Sequence, residues 1–122
     1  MVEDEETVRR FTRTILEMQG YRVLEALDGE SALLANEQHK DAEIHLLVTD
    51  MVMPGIGGRE VARRFRAARP EGKVLFMSGY TEDALFDPDG APQGATRFIH
   101  KPFTPSGLAL EVREMLNGSL LP

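Results

Sequence analysis

The sequence predicts a single α/β domain, a parallel sheet wrapped by helices. Three observations carry that expectation. The apolar runs Leu46-Leu47-Val48 and Val74 to Met77 are short and continuous, as strands buried on both faces are. Stretches with helical spacing separate them, which is what parallel crossovers require. The chain has 122 residues, enough for one core and too few for two, so residues 1–122 are read as one domain.

The elements follow in order. Glu6 to Gln19 reads as a helix with Val8, Phe11 and Ile15 on its inner face, stopped by Gly20. Tyr21 to Ala26 reads as a short strand. Asp28 then caps a second helix from about Glu30 to Glu37. Ile44 to Thr49 is a strand that ends at Asp50, followed by a loop with Pro54-Gly55 and Gly57-Gly58. A third helix runs to Arg69 with Val61, Phe65 and Ala68 inward, and Pro70 lies just past it. Val74 to Met77 is a strand ending at Ser78-Gly79, and Phe98 to His100 is a last strand before Lys101-Pro102. The final helix takes Thr104 as cap and Pro105 at its first position, with Leu108, Val112, Met115 and Leu116 inward.

Composition narrows the function. Hydrophobic residues at 42% and charged residues at 28% are ordinary for a globular domain. The absence of cysteine excludes a disulfide framework and thiolate metal sites, and fits a reducing cytoplasm. No apolar run nears the roughly 20 residues of a membrane helix. A net charge of -6 argues against direct nucleic-acid binding and for a partner that is basic or brings a cation.

In parallel sheets, ligands bind beyond the carboxyl ends of the strands. Asp50, Ser78 and Lys101 each close a strand, so they are expected at one edge, joined by Glu3 and Asp4 ahead of the first helix. Crowded carboxylates repel unless a cation joins them. A hard divalent ion suits oxygen ligands, and Mg2+ suits best because it keeps open positions for phosphate oxygens. Lys101 adds a mobile positive charge and Ser78 a hydroxyl donor. A carboxylate nucleophile with these companions fits phosphoryl transfer, which is chiefly positioning and charge neutralisation. Asp50 would attack phosphorus, Asp4 and Asp50 would hold the metal, and Lys101 and Ser78 would hold the equatorial oxygens.

Plainer readings exist for several of these residues. Asp50 could merely be a helix cap or a loop carboxylate at a strand end, and Glu5 and Glu6 are read as an acidic helix start favourable to the dipole. Phe98 could be plain core. Arg59, Arg63, Arg64, Arg66 and Arg69 are read as the solvated face of the third helix, and His39, His45 and His100 show no ligand spacing.

As an ordered set, Glu3-Asp4-Glu5, Asp50 with Met53-Pro54-Gly55, Ser78-Gly79, Phe98 and Lys101-Pro102-Phe103 resemble the signature of response-regulator receiver domains. The resemblance covers essentially the whole chain. It implies a flavodoxin-like five-stranded sheet of order 2-1-3-4-5 and a phosphoacceptor role for Asp50 in a two-component phosphorelay. It further implies Mg2+ held by Asp4, Asp50 and the backbone carbonyl of Val52, with Glu3 acting through water. Lys101-Pro102 is implied to be cis, and Ser78 and Phe98 to form the switch. The implied partner is a histidine kinase or histidine phosphotransfer domain, with no membrane contact by this domain; homodimerisation stays open.

The chain departs from the family pattern twice. Only Met1 and Val2 precede the acidic pair, where receivers usually carry four or five apolar residues. About three missing aliphatic residues would forgo roughly 5–9 kcal/mol at about 1.5–3 each, comparable with a domain's whole stability. The expectation is that the protein continues upstream or that another chain lends a strand. The second departure is Asp87-Pro88-Asp89-Gly90-Ala91-Pro92, which cannot continue a helix, so the fourth helix is expected to be short, about Glu82 to Phe86.

Function is thus read as that of a non-enzymatic phosphoacceptor, attached to a hybrid sensor histidine kinase. The run Ser78-Gly79-Tyr80-Thr81 and the start of the last helix at Thr104-Pro105 resemble such attached receivers. A stand-alone single-domain regulator is the alternative. An aspartate-nucleophile phosphatase would place a second acid two residues after Asp50, where Val52 stands. A degenerate receiver that binds partners without phosphorylation would not need Asp4, Asp50, Ser78 and Lys101 together.

Overall fold

The computed structural model describes residues 1–78 and 96–117. Its elements are α1 (Glu6–Met18), α2 (Gly29–Gln38), β1 (Leu46–Asp50), α3 (Gly58–Ala68), β2 (Lys73–Ser78), β3 (Thr96–His100) and α4 (Pro105–Asn117). The three strands form a parallel sheet in the order β1-β2-β3. Beyond β1 the sheet continues through single bridges, Val2 against Thr49 and Ala26 against Val2. Counted along the chain, the five extended positions therefore lie in the order second, first, third, fourth, fifth. This is the doubly wound flavodoxin-like fold.

Local signals set the helix ends. Asp28 accepts a hydrogen bond from the Ser31 amide at 2.8 Å, and Thr104 Oγ1 accepts one from the Gly107 amide at 2.9 Å. Gly20, at φ +91°, turns the chain out of α1 while its amide donates to the Glu17 carbonyl. The two-residue period of β2 then divides the core. Val74 and Phe76 pack with Val61 and Phe65 on one face, whereas Leu75 and Met77 pack with Ile15, Leu108 and Val112 on the other.

Three expectations need correction. The buried stripe of α1 is Thr12, Ile15 and Leu16. Phe11 instead lies at the surface and stacks on Phe103, with ring centroids 6.1 Å apart. In α3 the inner face is Gly58, Val61, Ala62 and Phe65, and Ala68 is exposed. Both faces keep the expected period with a shifted centre. Of the strand expected over Tyr21 to Ala26, only Ala26 pairs. Its neighbours form no regular strand, because the segment's backbone bonds to residues 1–3 only at Leu24 and Ala26. The short fourth helix expected at Glu82 to Phe86 lies outside the described residues.

The thin first strand leaves a mark. An open cavity of about 620 Å³ lies between the Tyr21 to Ala26 segment and β1, walled by Val23, Leu46, Leu47, Val48 and Leu16. Val2 donates to the Val48 carbonyl at 2.7 Å, and the Met1 amino group donates to the Leu24 carbonyl at 2.8 Å. These bonds make a short ladder on both walls.

The arginines of α3 and its end are more structural than a solvated face would be. Arg69 donates to Asn36 Oδ1, to the Ala42 carbonyl and to the His39 carbonyl, which ties down the turn after α2. Arg66 donates to the Gly72 carbonyl and to Thr96 Oγ1. Arg63 and Arg64 both bind Glu60, which holds that carboxyl down at about 2, against an ordinary 4.5. A depressed carboxyl stabilises the fold above its unfolded pKa and loses that contribution as pH falls through the folded one. Glu60→Gln is therefore expected to be less stable than the wild type near pH 6, with the gap closing between about 4.5 and 2. Urea unfolding at several pH values checks this, and a gap that does not depend on pH would contradict it.

Candidate functional site

Backbone hydrogen bonds bring the strand ends to one edge. The Asp50 amide donates to the Val2 carbonyl at 3.0 Å, and the Met51 amide donates to the Met77 carbonyl at 3.2 Å. The Lys101 amide donates to the Ser78 carbonyl at 2.7 Å. Residues far apart in sequence thus share one corner, as the strand pattern predicted. The Lys101-Pro102 peptide is cis, in agreement with the expectation.

The charged cluster is compact. Among the described residues, Glu3, Asp4 and Asp50 are the acidic group whose carboxylate oxygens lie within 4.8 Å of one another. Glu3 and Asp50 are buried, while Asp4 faces solvent. Lys101 Nζ lies 3.0 Å from Asp50 Oδ2 and 2.7 Å from Glu3 Oε1. Ser78 is fully buried, pairs with His100 across β2 and β3, and accepts from the Lys101 amide at its carbonyl. Val52 is 68% exposed. Phe98 is half-buried and stacks on Phe76, with centroids 5.3 Å apart.

Glu3 differs from its two acidic neighbours. Its Oε2 accepts from the Glu5 amide at 3.0 Å, and its carbonyl accepts from Arg9 Nη1 at 3.0 Å. No aligned hydrogen bond satisfies Oε1 among the described residues, so the Lys101 ammonium compensates it as an ion pair. Burial pushes the Glu3 carboxyl up; Lys101 and the Glu5 amide pull against this, and the Asp50 charge adds to it. Burial works against the Lys101 ammonium, but its bonds to Glu3 and Asp50 outweigh that and raise it. The strand-end pattern brings Glu3 and Lys101 to one edge, and the burial of Glu3 there is what makes the two pair directly.

The donor set fits a hard cation. All its side-chain ligands are carboxylate oxygens, and Asp4 opens the cluster to water, of which Mg2+ keeps several molecules. His39, His45 and His100 are not part of it: His39 bonds the Ala35 carbonyl and His45 bonds Glu43.

Residues 1–113 match the family described as the response regulator receiver domain. The chain belongs to that family. Receivers are parts of two-component systems; they generally act as phosphoacceptors and bind Mg2+ in an acidic pocket, and this chain has an acidic cluster of Glu3, Asp4 and Asp50. Over 118 residues this receiver is 40% identical to the sensor kinase CckA of Brucella abortus, covering 95% of the chain but 12% of CckA. It is also 36% identical to the response regulator receiver protein CpdR of the same organism, covering 95% of the chain and 93% of CpdR. The crystal structure of the receiver domain from the hybrid histidine kinase CckA superposes with a TM-score of 0.79 at 36% identity, covering 94% of each chain. No helix among the described residues of this receiver is long and apolar enough to cross a membrane.

Proposed function

We propose that residues 1–122 form one receiver domain in which Asp50 accepts a phosphoryl group from a phosphohistidine. The observation that carries this is the placement of Lys101 Nζ 3.0 Å from Asp50 Oδ2, beside the carboxylates of Glu3 and Asp4. A carboxylate oxygen of Asp50 forms the bond to phosphorus, and the bond to the imidazole nitrogen breaks, with the electron pair staying on nitrogen. Lys101 and the Ser78 hydroxyl hold the phosphoryl oxygens. Asp4, Asp50 and the Val52 carbonyl would hold Mg2+, with Glu3 acting through water; the ion would supply neutralising charge at those oxygens. Ser78 and Phe98 would carry the change outward, the hydroxyl moving to the phosphoryl group and the ring turning inward.

The partner is a histidine kinase or a histidine phosphotransfer domain in the cytoplasm. Likeness to CckA favours attachment to a hybrid sensor kinase, and the nearly full-length likeness to CpdR keeps a stand-alone regulator as the second reading. The domain is not an enzyme acting on external substrates. Val52 stands exposed where an aspartate-nucleophile phosphatase needs an acid, and an alkyl side chain cannot activate water. The phosphorylated form should therefore persist long enough to signal.

Incubation with acetyl phosphate and Mg2+, followed by intact mass measurement, tests this. The wild type is expected to gain one phosphoryl group and Asp50→Asn none. An unmodified wild type would overturn the reading.

A further inference from the structure

Gly58 opens α3, and helix propensity alone would favour alanine there. The structure leaves no room for it. A β-carbon at Gly58 would stand 2.0 Å from the Asp50 carbonyl oxygen, 3.0 Å from the Asp50 carbonyl carbon and 3.1 Å from Met51 Cα. Ordinary nonbonded carbon contacts are about 3.5–4.0 Å. All three neighbours are backbone atoms, so no side chain can rotate aside. The Gly58 amide also donates to the Met51 carbonyl at 3.0 Å. The first turn of α3 is therefore pressed against the Asp50–Met51 peptide and hydrogen-bonded to the next carbonyl, that of Met51.

That peptide is where the site's geometry is set. The Asp50 side chain projects from one side of it, and the Val52 carbonyl follows one residue on. Lys101 reaches Asp50 at 3.0 Å, a contact that a shift of about an ångström would break. We propose that Gly58 is a positioning residue for phosphoryl uptake: its missing side chain lets α3 seat the backbone of residues 50–52. The proposal rests on the phosphoacceptor reading of Asp50 and adds a residue that touches neither phosphoryl group nor metal.

The test compares the full chain with Gly58→Ala and with Gly72→Ala as control. A β-carbon at Gly72 would be similarly crowded, 2.5 Å from a Phe65 ring carbon and 3.0 Å from the Arg69 carbonyl oxygen. Gly72 precedes β2, however, at the sheet end away from the carboxylates. Three quantities are read beside thermal stability: phosphoryl uptake from acetyl phosphate, Mg2+ affinity by calorimetry, and backbone amide shifts by NMR. Gly58→Ala is expected to take up phosphoryl groups about 10²-fold more slowly, as an ångström of misplacement can cause. Its Mg2+ affinity should fall several-fold, with shift changes centred on residues 50–53. Gly72→Ala should lose stability but keep uptake within about twofold of wild type once folded, since its crowding does not reach the reacting groups.

Wild-type uptake and Mg2+ affinity in Gly58→Ala would overturn the proposal. So would equal loss of uptake in Gly72→Ala. A wild type that takes up no phosphoryl group would count against the phosphoacceptor reading, whereas the shifts and Mg2+ affinity would still decide what Gly58 does. If Gly58→Ala does not fold, Gly57→Ala serves, since its β-carbon would meet the Met51 carbonyl oxygen at 3.3 Å. A folded Gly57→Ala with slower uptake and weaker Mg2+ binding would support the proposal, and wild-type values would overturn it.

Discussion

Replacing Lys101 by alanine is expected to slow phosphoryl uptake by about 10²–10³-fold, the loss typical for one preorganised donor to developing charge. The same change should destabilise the metal-free protein by about 3 kcal/mol, because it leaves the buried Glu3 carboxylate without its cation. The geometry dictates both effects, since Lys101 Nζ stands within 3.0 Å of Asp50 and 2.7 Å of Glu3. Burial already raises the Glu3 carboxyl, and losing the ammonium raises it further. A raised carboxyl contributes stability below its unfolded pKa and loses it as pH rises through the folded one. The stability deficit should therefore be largest near neutral pH and shrink in acid; Mg2+ should reduce it at neutral pH. Urea unfolding at pH 4 and 7, with and without Mg2+, measures this. A deficit that ignores both variables would mean that the Glu3–Lys101 pair is not its source. Lys101→Arg should keep much of the stability but not the rate, since a planar fork does not replace a mobile point charge.

The second large effect concerns the slot beside β1. A segment of four apolar residues added ahead of Met1 is expected to enter the cavity of about 620 Å³ and to continue the ladder begun by Met1 and Val2. About three buried aliphatic side chains would contribute roughly 5–9 kcal/mol before ordering costs. Fixing their backbone takes back about 1–2 kcal/mol per residue. Over four residues that leaves a net gain of about 1 kcal/mol, visible as a higher denaturant midpoint and as slower hydrogen exchange at Leu24 and Val48. A serine-rich segment of equal length should give no gain. Equal midpoints for the two extensions would remove the slot from the account. An equal gain from the apolar peptide added separately would instead favour a strand lent by another chain.

Much of this was legible because it is local or periodic. Asp28, Gly20 and Thr104-Pro105 mark helix ends through bonds that span three or four residues, and the structure makes those bonds. The strand ends at Asp50, Ser78 and Lys101 converge because parallel strands share a carboxyl edge. Periodicity alone could not centre a helix face, so Phe11 and Ala68 were placed inward although both are exposed. Nor could it tell that Tyr21 to Ala26 would pair only through Ala26, since a strand exists only as a pair. Glu3 with Lys101, and Gly58 against the Asp50 carbonyl, are contacts between separate elements. The strand ends put Glu3 and Lys101 at one edge without pairing them, and Gly57-Gly58, read as part of the loop before α3, gave no sign of the Asp50 carbonyl.

If Asp50 carries the phosphoryl group, chemical trapping should find it there. An aspartyl phosphate is an acyl phosphate, which borohydride reduces to an alcohol. After incubation with acetyl phosphate and Mg2+, reduction and peptide mass mapping should place the alcohol at position 50 and nowhere else. Reduction at Asp4, at another carboxylate, or at no residue of a phosphorylated protein would contradict the account.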